Sequence, residues 1–563
     1  MAQNADPSEP MSAQRLPPGT VHLVDLEGTM AIKHADGKDV KDIVLIPRPS
    51  DDPDDPLNWS FRRKLLATSC VVVYTILLAI PSSAVYSVVT PIRKATGLTL
   101  ADLNNGTGIM FLFYGWGCIL WQPLALQYGK RPAYLFSLVA NIIIMATAPL
   151  CTTATTYQIS RILLGLFGSP VESLCEISIT DIWFTHERPK YMAWYGWSLA
   201  LTGKLAPMIS GFINSGMGWE WTLWWCAIFN GIALVYCFLF MEETNYDRKH
   251  AEDVELDAKE PAPVSPEKQT NNSGLWHTVT GDKTADTKSS PQILPGSDME
   301  EGKVTKPRKT YWQKLSLKDA PRPNRVLDIA IAPFKGFTYP AVVYAGLMYG
   351  ANSLVWSGVQ NATAGTVYTT MYGWNTTQVS GAYAAGVIGT ITGGYYSGKV
   401  GRILTVRLAR RNNGISEPEH TLYLFVASMI LVPFSLVLYG VGVVRHIHWF
   451  GLVFSQFLLA ISNALCVSAA LNYAISSYRE LSGGMVVTCV LIRNTLSFAI
   501  NYAITPWLKA TGYQNTYITV AAIGFVWNAS LFGMVRWGRK MREITAERYW
   551  KDVKSAREKG LSH

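Results

Sequence analysis

The sequence predicts an all-α integral membrane protein: twelve transmembrane helices in two six-helix halves. Three observations carry that prediction: an apolar composition, apolar blocks of membrane-spanning length, and a regular alternation of basic residues between them. Of 563 residues, 49% are hydrophobic and only 16% charged. The apolar residues gather in blocks of about 20, the length that crosses the hydrocarbon core of a bilayer. Six blocks centre near Val73, Phe113, Ile142, Leu166, Leu201 and Leu234, and six more near Leu347, Val387, Met429, Leu458, Ser497 and Ile523. Basic residues fall on alternate connections: Arg62 to Lys64, Lys130 and Arg131, Arg188 and Lys190, the stretch between the halves, Lys399 to Arg411, Arg479, and Arg536 to Arg542. The positive-inside rule then puts both termini in the cytosol, with the plasma membrane as the expected location. The opposite connections hold only Arg93, Lys94, Arg445 and Lys509, beside the aromatic clusters "GWEW" and "HIHW" that suit an outer interfacial belt.

The polar stretches set the expected domain limits. Residues 1–62 form a cytosolic tail without an apolar signal core, 63–242 the first half, 336–537 the second, and 538–563 a second cytosolic tail. Residues 243–335, with stretches such as "DAKEPAPVSPEKQTNNSG", are too poor in apolar side chains to fold alone and read as a disordered tether. A net charge of +9 suggests nucleic acid in a soluble chain. Here the basic residues lie between apolar blocks, so the expected partner is the lipid bilayer and nucleic acid is excluded. Eight cysteines without CxxC spacing indicate neither a disulfide framework nor a zinc site, and His446 with His448 lacks a third metal ligand. No HExxH, GxSxG or P-loop occurs, so an enzyme is not expected, nor any cofactor or metal. A monomer is expected.

Charges inside the apolar blocks mark the candidate site, because a charge facing lipid costs several kcal/mol or more. Span 4 reads "RILLGLFGSPVESLCEISITD". Glu172 lies 11 residues, about three turns, beyond Arg161, and Glu176 follows four residues later, so a continuous helix puts all three on one face. Gly165, Gly168 and Ser169 leave room beside them. Lys204 is buried mid-span in helix 5 and Arg493 lies in span 11. Spans 4 and 5 share a short loop, so a Glu172–Lys204 ion pair is expected if both face inward, with either a structural or a functional role. Tyr74, Tyr344, Tyr349, Trp356 and Tyr473 are candidate cavity aromatics. Gly203, Pro207 and Gly211, at four-residue spacing, make a smooth, kinkable face for close helix packing. Gly129 permits a tight turn before Lys130 and Arg131, which can pair with neighbouring helix ends. Sequons at Asn361 and Asn375 are expected in the outer loop between spans 7 and 8 as possible glycosylation sites.

Several stretches together resemble a known family: "DDPLNWSFRRK" before span 1, "PLALQYGKRPAYL" between spans 2 and 3, "SRILLGLFGSPVE" in span 4, "DIWFTHERPKYM" before span 5, "GKLAPMISGF" in span 5 and "EETNYDR" after span 6. They resemble the major facilitator superfamily, in its fungal twelve-span drug:proton antiporter branch. "RRNNGISEPEHTLY" and "LIRNTLSFAINYAITPW" are most similar to the subgroup with polyamine and organic-cation carriers. The resemblance implies the MFS fold and a proton-coupled secondary transporter that moves a small organic molecule by alternating access. Efflux of a drug or fungal secondary metabolite is favoured, with uptake of a polyamine or other organic cation as the alternative, and a non-transporting sensor of the same fold behind both. It places span 4 against the central cavity, with Arg161 and Gly165 matching its span-4 motif. With the buried charges this makes Arg161, Glu172, Glu176 and Lys204 the expected proton-coupling and substrate cavity, and the depth of Glu172 makes it the expected proton carrier. It also implies a gating loop at Gly129, Lys130 and Arg131, and an antiporter motif at Gly203, Pro207 and Gly211 that seals the halves. The family's usual Asp and leading Gly in the gating loop are Leu126 and Gln122 here, so Asp181 or Glu187 is expected to supply the acid. Gly398 stands where the second half's loop usually has an acid, Leu164 replaces a frequent Gln in span 4, and Ser476 and Ser477 replace a frequent acid in span 10.

Overall fold

The computed structural model describes residues 17–22, 55–184, 187–245, 315–316, 324–412 and 415–558. Most of the expected tether and of the N-terminal tail lies outside them. The described chain is helical throughout, apart from a two-residue pairing of Val21–His22 with Ile415–Ser416.

Every expected apolar block centres on a helix. Spans 1 to 6 are Phe61–Thr96, Leu100–Tyr128, Lys130–Leu150, Ala154–Ile182, Arg188–Met217 and Trp219–Phe240. Spans 7 to 10 are Pro340–Met371, Thr376–Arg411, Pro418–Val444 and Trp449–Ser477. Spans 11 and 12 lie in Ser482–Ala529, which turns at Gly512, a left-handed residue with φ of 73°. Among the described residues, eight helical stretches are long and apolar enough to cross a membrane, nine with the bent pair Val326–Gly336 and Pro340–Met371. One of the eight, Arg479–Ala556, carries both spans 11 and 12. Spans 5 and 8, 30 and 36 residues long, fall short in apolarity because glycine, hydroxyl residues and charges interrupt them.

Local chemistry sets the ends. Thr99 and Asp102 form a reciprocal capping box at the start of span 2, and Thr153 with Thr156 does the same for span 4. The Asp55 carboxylate accepts from Leu57 N at 3.0 Å, fixing the turn before span 1. Span 4 breaks at Ser169–Pro170 into Ala154–Gly168 and Pro170–Ile182.

The first half packs about one core that includes Tyr74, Tyr114, Leu138, Leu174 and Trp183. The second half has two, one around Tyr339, Tyr473 and Tyr478, the other around Trp356, Tyr368, Tyr439 and Tyr517. Phe136, Ile143, Val235, Phe238, Ile430 and Val526 stand exposed on the outside of the bundle, as a lipid-facing surface requires.

Helix extends into two of the expected polar stretches. Val326–Gly336, inside the expected tether, is a helix bent 82° from span 7. Leu327, Ile331 and Phe334 are exposed on it while Ile329, Pro333 and Gly336 are buried, the pattern of a helix lying along a membrane interface. The expected C-terminal tail is likewise helical, in Leu531–Glu558. Its Arg542 is buried against Glu419 at 2.6 and 2.9 Å, and Tyr549 and Val553 enter the core around Tyr473. The face bearing this helix and residues 17–22 is called the terminal face below.

Candidate functional site

A cavity of about 110 Å³ lies between the halves at mid-depth. Tyr86 from span 1, Tyr114 from span 2, Glu172 from span 4 and Lys204 from span 5 line it on one side. Tyr349, Asn361, Asn463, Arg493 and Asn501 line it on the other. A wider vestibule of about 1010 Å³ on the terminal face adjoins it, with Gly196, Ala200 and Val467 lining both. At the opposite end the halves meet directly: Asn104 Nδ2 donates to Thr505 Oγ1 at 3.0 Å, and a Cβ at Gly365 would stand 3.0 Å from Tyr86 O. The structure is therefore open on the terminal face and shut on the other.

The strongest contact in the cavity joins the halves. Arg493 Nη2 donates to Glu172 Oε1 at 2.5 Å, and Arg493 Nη1 donates to the Tyr349 hydroxyl, with the guanidinium 4.8 Å from the Tyr349 ring centre. Both charges are almost fully buried. The expected Glu172–Lys204 pair is therefore not formed. Adjacency of spans 4 and 5 suggested it, but Glu172 points across the interface to a cation 321 residues away. Among the described residues Lys204 reaches only Asn361 Oδ1, at 3.5 Å.

Of the three span-4 charges only Glu172 lines the cavity. Arg161 sits in the first half against the Pro81 carbonyl at 3.5 Å and 4.9 Å from the Tyr157 ring centre. Glu176 is buried beside the cavity, and its Oε2 has no hydrogen-bond partner among the described residues.

Of the expected aromatics only Tyr349 lines the cavity. Tyr74 bonds Ser137 Oγ at 2.6 Å in the first-half core, Tyr344 and Tyr473 pack together, and Trp356 lies in the far-side core. Tyr86 and Tyr114, absent from the sequence candidates, take their place. Nothing in their local sequence distinguishes them from packing aromatics.

Asn361 is also corrected. It belongs to the helix Trp356–Met371 and faces Lys204 inside the bundle, so it is no glycosylation site. Asn375 is exposed just before span 8, where its Oδ1 accepts from Gln378 N at 2.9 Å.

On the terminal face the loop between spans 2 and 3 is bound by charge. Lys130 Nζ donates to Asp181, and both are buried. Glu243, in the "EETNYDR" stretch, accepts from Lys130 N at 3.2 Å and Arg131 N at 3.0 Å, the orphan donors at the start of span 3. Burial pushes the Glu243 carboxyl above its usual range against these donors and Lys130. Arg131 donates to Phe238 O at 2.8 Å and to Leu315 O. Gly129 has φ of 116°, and a Cβ there would stand 2.9 Å from Glu243 Oε2. Asp181 rather than Glu187 thus partners Lys130, and Glu243 is the acid the sequence reading missed.

The span-5 glycines divide. A Cβ at Gly211 would fall 1.6 Å from Ser380 Oγ and 2.8 Å from Thr376 O of span 8, so the halves touch there through bare backbone. Gly203 has nothing within 4 Å of such a Cβ and lines the cavity instead, so it is not a packing contact. Pro207 lies between them in the same helix.

Two helical halves enclosing one charged midplane cavity, open at one face, define a secondary transporter. Residues 71–410 match the Major Facilitator Superfamily. The chain belongs to that superfamily, whose members are carriers and not enzymes. It is 26% identical to an uncharacterised MFS-type transporter of Schizosaccharomyces pombe, over 95% of this chain and 94% of the relative. It is also 26% identical to protein HOL1 of Saccharomyces cerevisiae, over 95% and 97%, and 24% identical to the MFS-type transporter pyvG of Aspergillus violaceofuscus, over 88% and 83%.

Proposed function

We propose that this protein is a proton-coupled antiporter that exports a small organic molecule across the plasma membrane, with its termini and terminal face in the cytosol. The observation that carries the reading is the Glu172–Arg493 pair, which ties the halves together beside an open cavity. Removing one partner of a buried pair strands the other charge at a cost of about 3–5 kcal/mol. A proton delivered to Glu172 therefore forces Arg493 to find another acceptor or the halves to move apart, which converts proton binding into rocking. Glu176, one turn along the same helix, is the nearby acid that could take the proton onward. The Lys130–Asp181 pair and the Glu243 cap act as the cytosolic-side gate of the first half, and Gly211 as the close contact about which spans 5 and 8 slide.

Export fits the likeness of the span-5 stretch to an antiporter motif. Uptake of a polyamine is disfavoured because Arg493 occupies the one carboxylate that lines the cavity.

Glu172→Gln tests the proposal in proteoliposomes. The variant should lose gradient-driven accumulation while still exchanging internal for external substrate. Wild-type dependence on the proton gradient in this variant would overturn the assignment and move the coupling role to Glu176.

A further inference from the structure

We infer that Lys204 is an anion-binding subsite, and that the cargo is an organic acid whose carboxylate pairs with Lys204 while its apolar body extends into the terminal-face vestibule. This inference rests on the carrier reading and names its cargo class.

The charge of the cavity points that way. The ionisable groups lining it are Glu172, Lys204, Arg493 and the tyrosines Tyr86, Tyr114 and Tyr349. Glu172 is taken by Arg493, which leaves one ammonium in excess. Lys204 is only 7% exposed, and its sole hydrogen bond among the described residues is to the Asn361 amide oxygen at 3.5 Å, the outer limit for such a bond. No carboxylate stands within ion-pair distance of it among the described residues. Its stem packs on span 8, where a Cβ at Gly386 would be 2.9 Å from Lys204 Cδ, so the ammonium is held in place. A buried charge without a partner is expensive, and a guest carboxylate supplies the missing acceptor.

The vestibule repeats the bias. Lys190, Arg402 and Arg479 line it against a single acid, Glu417, which pairs with Arg539 at 3.2 Å. Such a cationic mouth concentrates anions and repels free polyamines. Trp194 and Trp197, both partly exposed, line the same space and offer an apolar wall. The central cavity has room for a head group and little more, whereas the vestibule is about ninefold larger and shares Gly196 and Ala200 with it. The shape therefore accommodates a small acidic head on a larger, partly aromatic body.

The test uses matched ligands with the purified full-length protein. Six largely apolar bodies, from butyl to indolyl, are each supplied as carboxylate, primary amide and primary amine, and binding is read by thermal shift and by saturation-transfer NMR. Carboxylates should bind best on at least one body. Lys204→Met should weaken that binding about tenfold or more, which is about 1.4 kcal/mol, and Lys204→Arg should restore part of it. Amines binding more tightly than carboxylates, carboxylate binding unchanged in Lys204→Met, or no head-group preference on any body each overturns the inference. The same carboxylate is then tested for counterflow in proteoliposomes. Lys204-dependent binding without exchange would leave the subsite standing and sink the carrier reading.

Discussion

The two halves secure their terminal-face loops with different chemistry. In the first half the turn between spans 2 and 3 is bound locally: Lys130 to Asp181, Glu243 to two backbone N–H groups, Arg131 to two carbonyls. In the second half span 8 runs on as helix to Arg411, with Lys399 and Arg402 exposed and nothing within 4 Å of a Cβ at Gly398. There the buried pair is Glu419 with Arg542, which fastens the start of span 9 to the C-terminal helix. Similar architecture thus carries an internal clasp in one half and a clasp borrowed from beyond the last span in the other. A symmetric account of gating built on the two loops does not fit this molecule.

Breaking either clasp gives the largest expected effect. Asp181→Ala strands buried Lys130 and Arg542→Ala strands buried Glu419, so each should cost about 3–5 kcal/mol and lower the melting temperature in detergent. If Arg542→Ala melts like wild type while Asp181→Ala does not, the second clasp is dispensable and only the first half is charge-bound.

The span-5 pair sharpens where the halves bear on each other. Gly211→Ala introduces a Cβ into Ser380 and Thr376, and overpacking of this kind costs about 1–3 kcal/mol. Gly203→Ala, facing open space, should leave the melting temperature within a degree or two of wild type. Equal losses in the two variants would contradict the assignment of Gly211 as the contact.

Glu243 should show itself in the pH dependence of the first clasp. Its folded-state pKa is raised, chiefly by burial. A raised pKa contributes stability that is present below the unfolded carboxyl value and is lost as pH rises through the folded value. Melting of the wild type should therefore fall from about pH 4 toward neutrality by more than that of Glu243→Gln. Parallel pH profiles would remove Glu243 from the titrating part of the clasp.

The smallest effect belongs to the second half's loop. Lys399→Ala touches an exposed side chain whose partner is Tyr395 at 3.2 Å, and the change should stay within about 0.5 kcal/mol. A loss as large as that of Asp181→Ala would restore the symmetric picture.

Much of the fold was legible because burial in lipid forces a backbone to satisfy its own hydrogen bonds, which makes every long apolar block a helix. Span 4 shows the limit of that legibility. Its charges announced a polar site, and Glu172 does line one, but Arg161 packs within the first half against Pro81 O and the Tyr157 ring. Asn361 shows another limit. The sequon pattern is local, and only the continuation of helix to Met371 reveals that the residue faces inward. Val326–Gly336 was hidden inside a polar composition because an interfacial helix needs only one apolar face.

The sequence by itself determined that this chain crosses the membrane repeatedly, in two sets of helices, with ionisable residues buried in spans 4, 5 and 11. Hydrophobic length and charge spacing are properties of contiguous residues, so they survive without any knowledge of neighbours. The tertiary structure alone decided which charges meet. Glu172 and Arg493 are separated by most of the chain, and their contact depends on how two six-helix halves are docked, a quantity that no local periodicity encodes. The same docking leaves Lys204 without an acid among the described residues and puts Gly211 against span 8, because helices packed through bare backbone hold the facing side chains close.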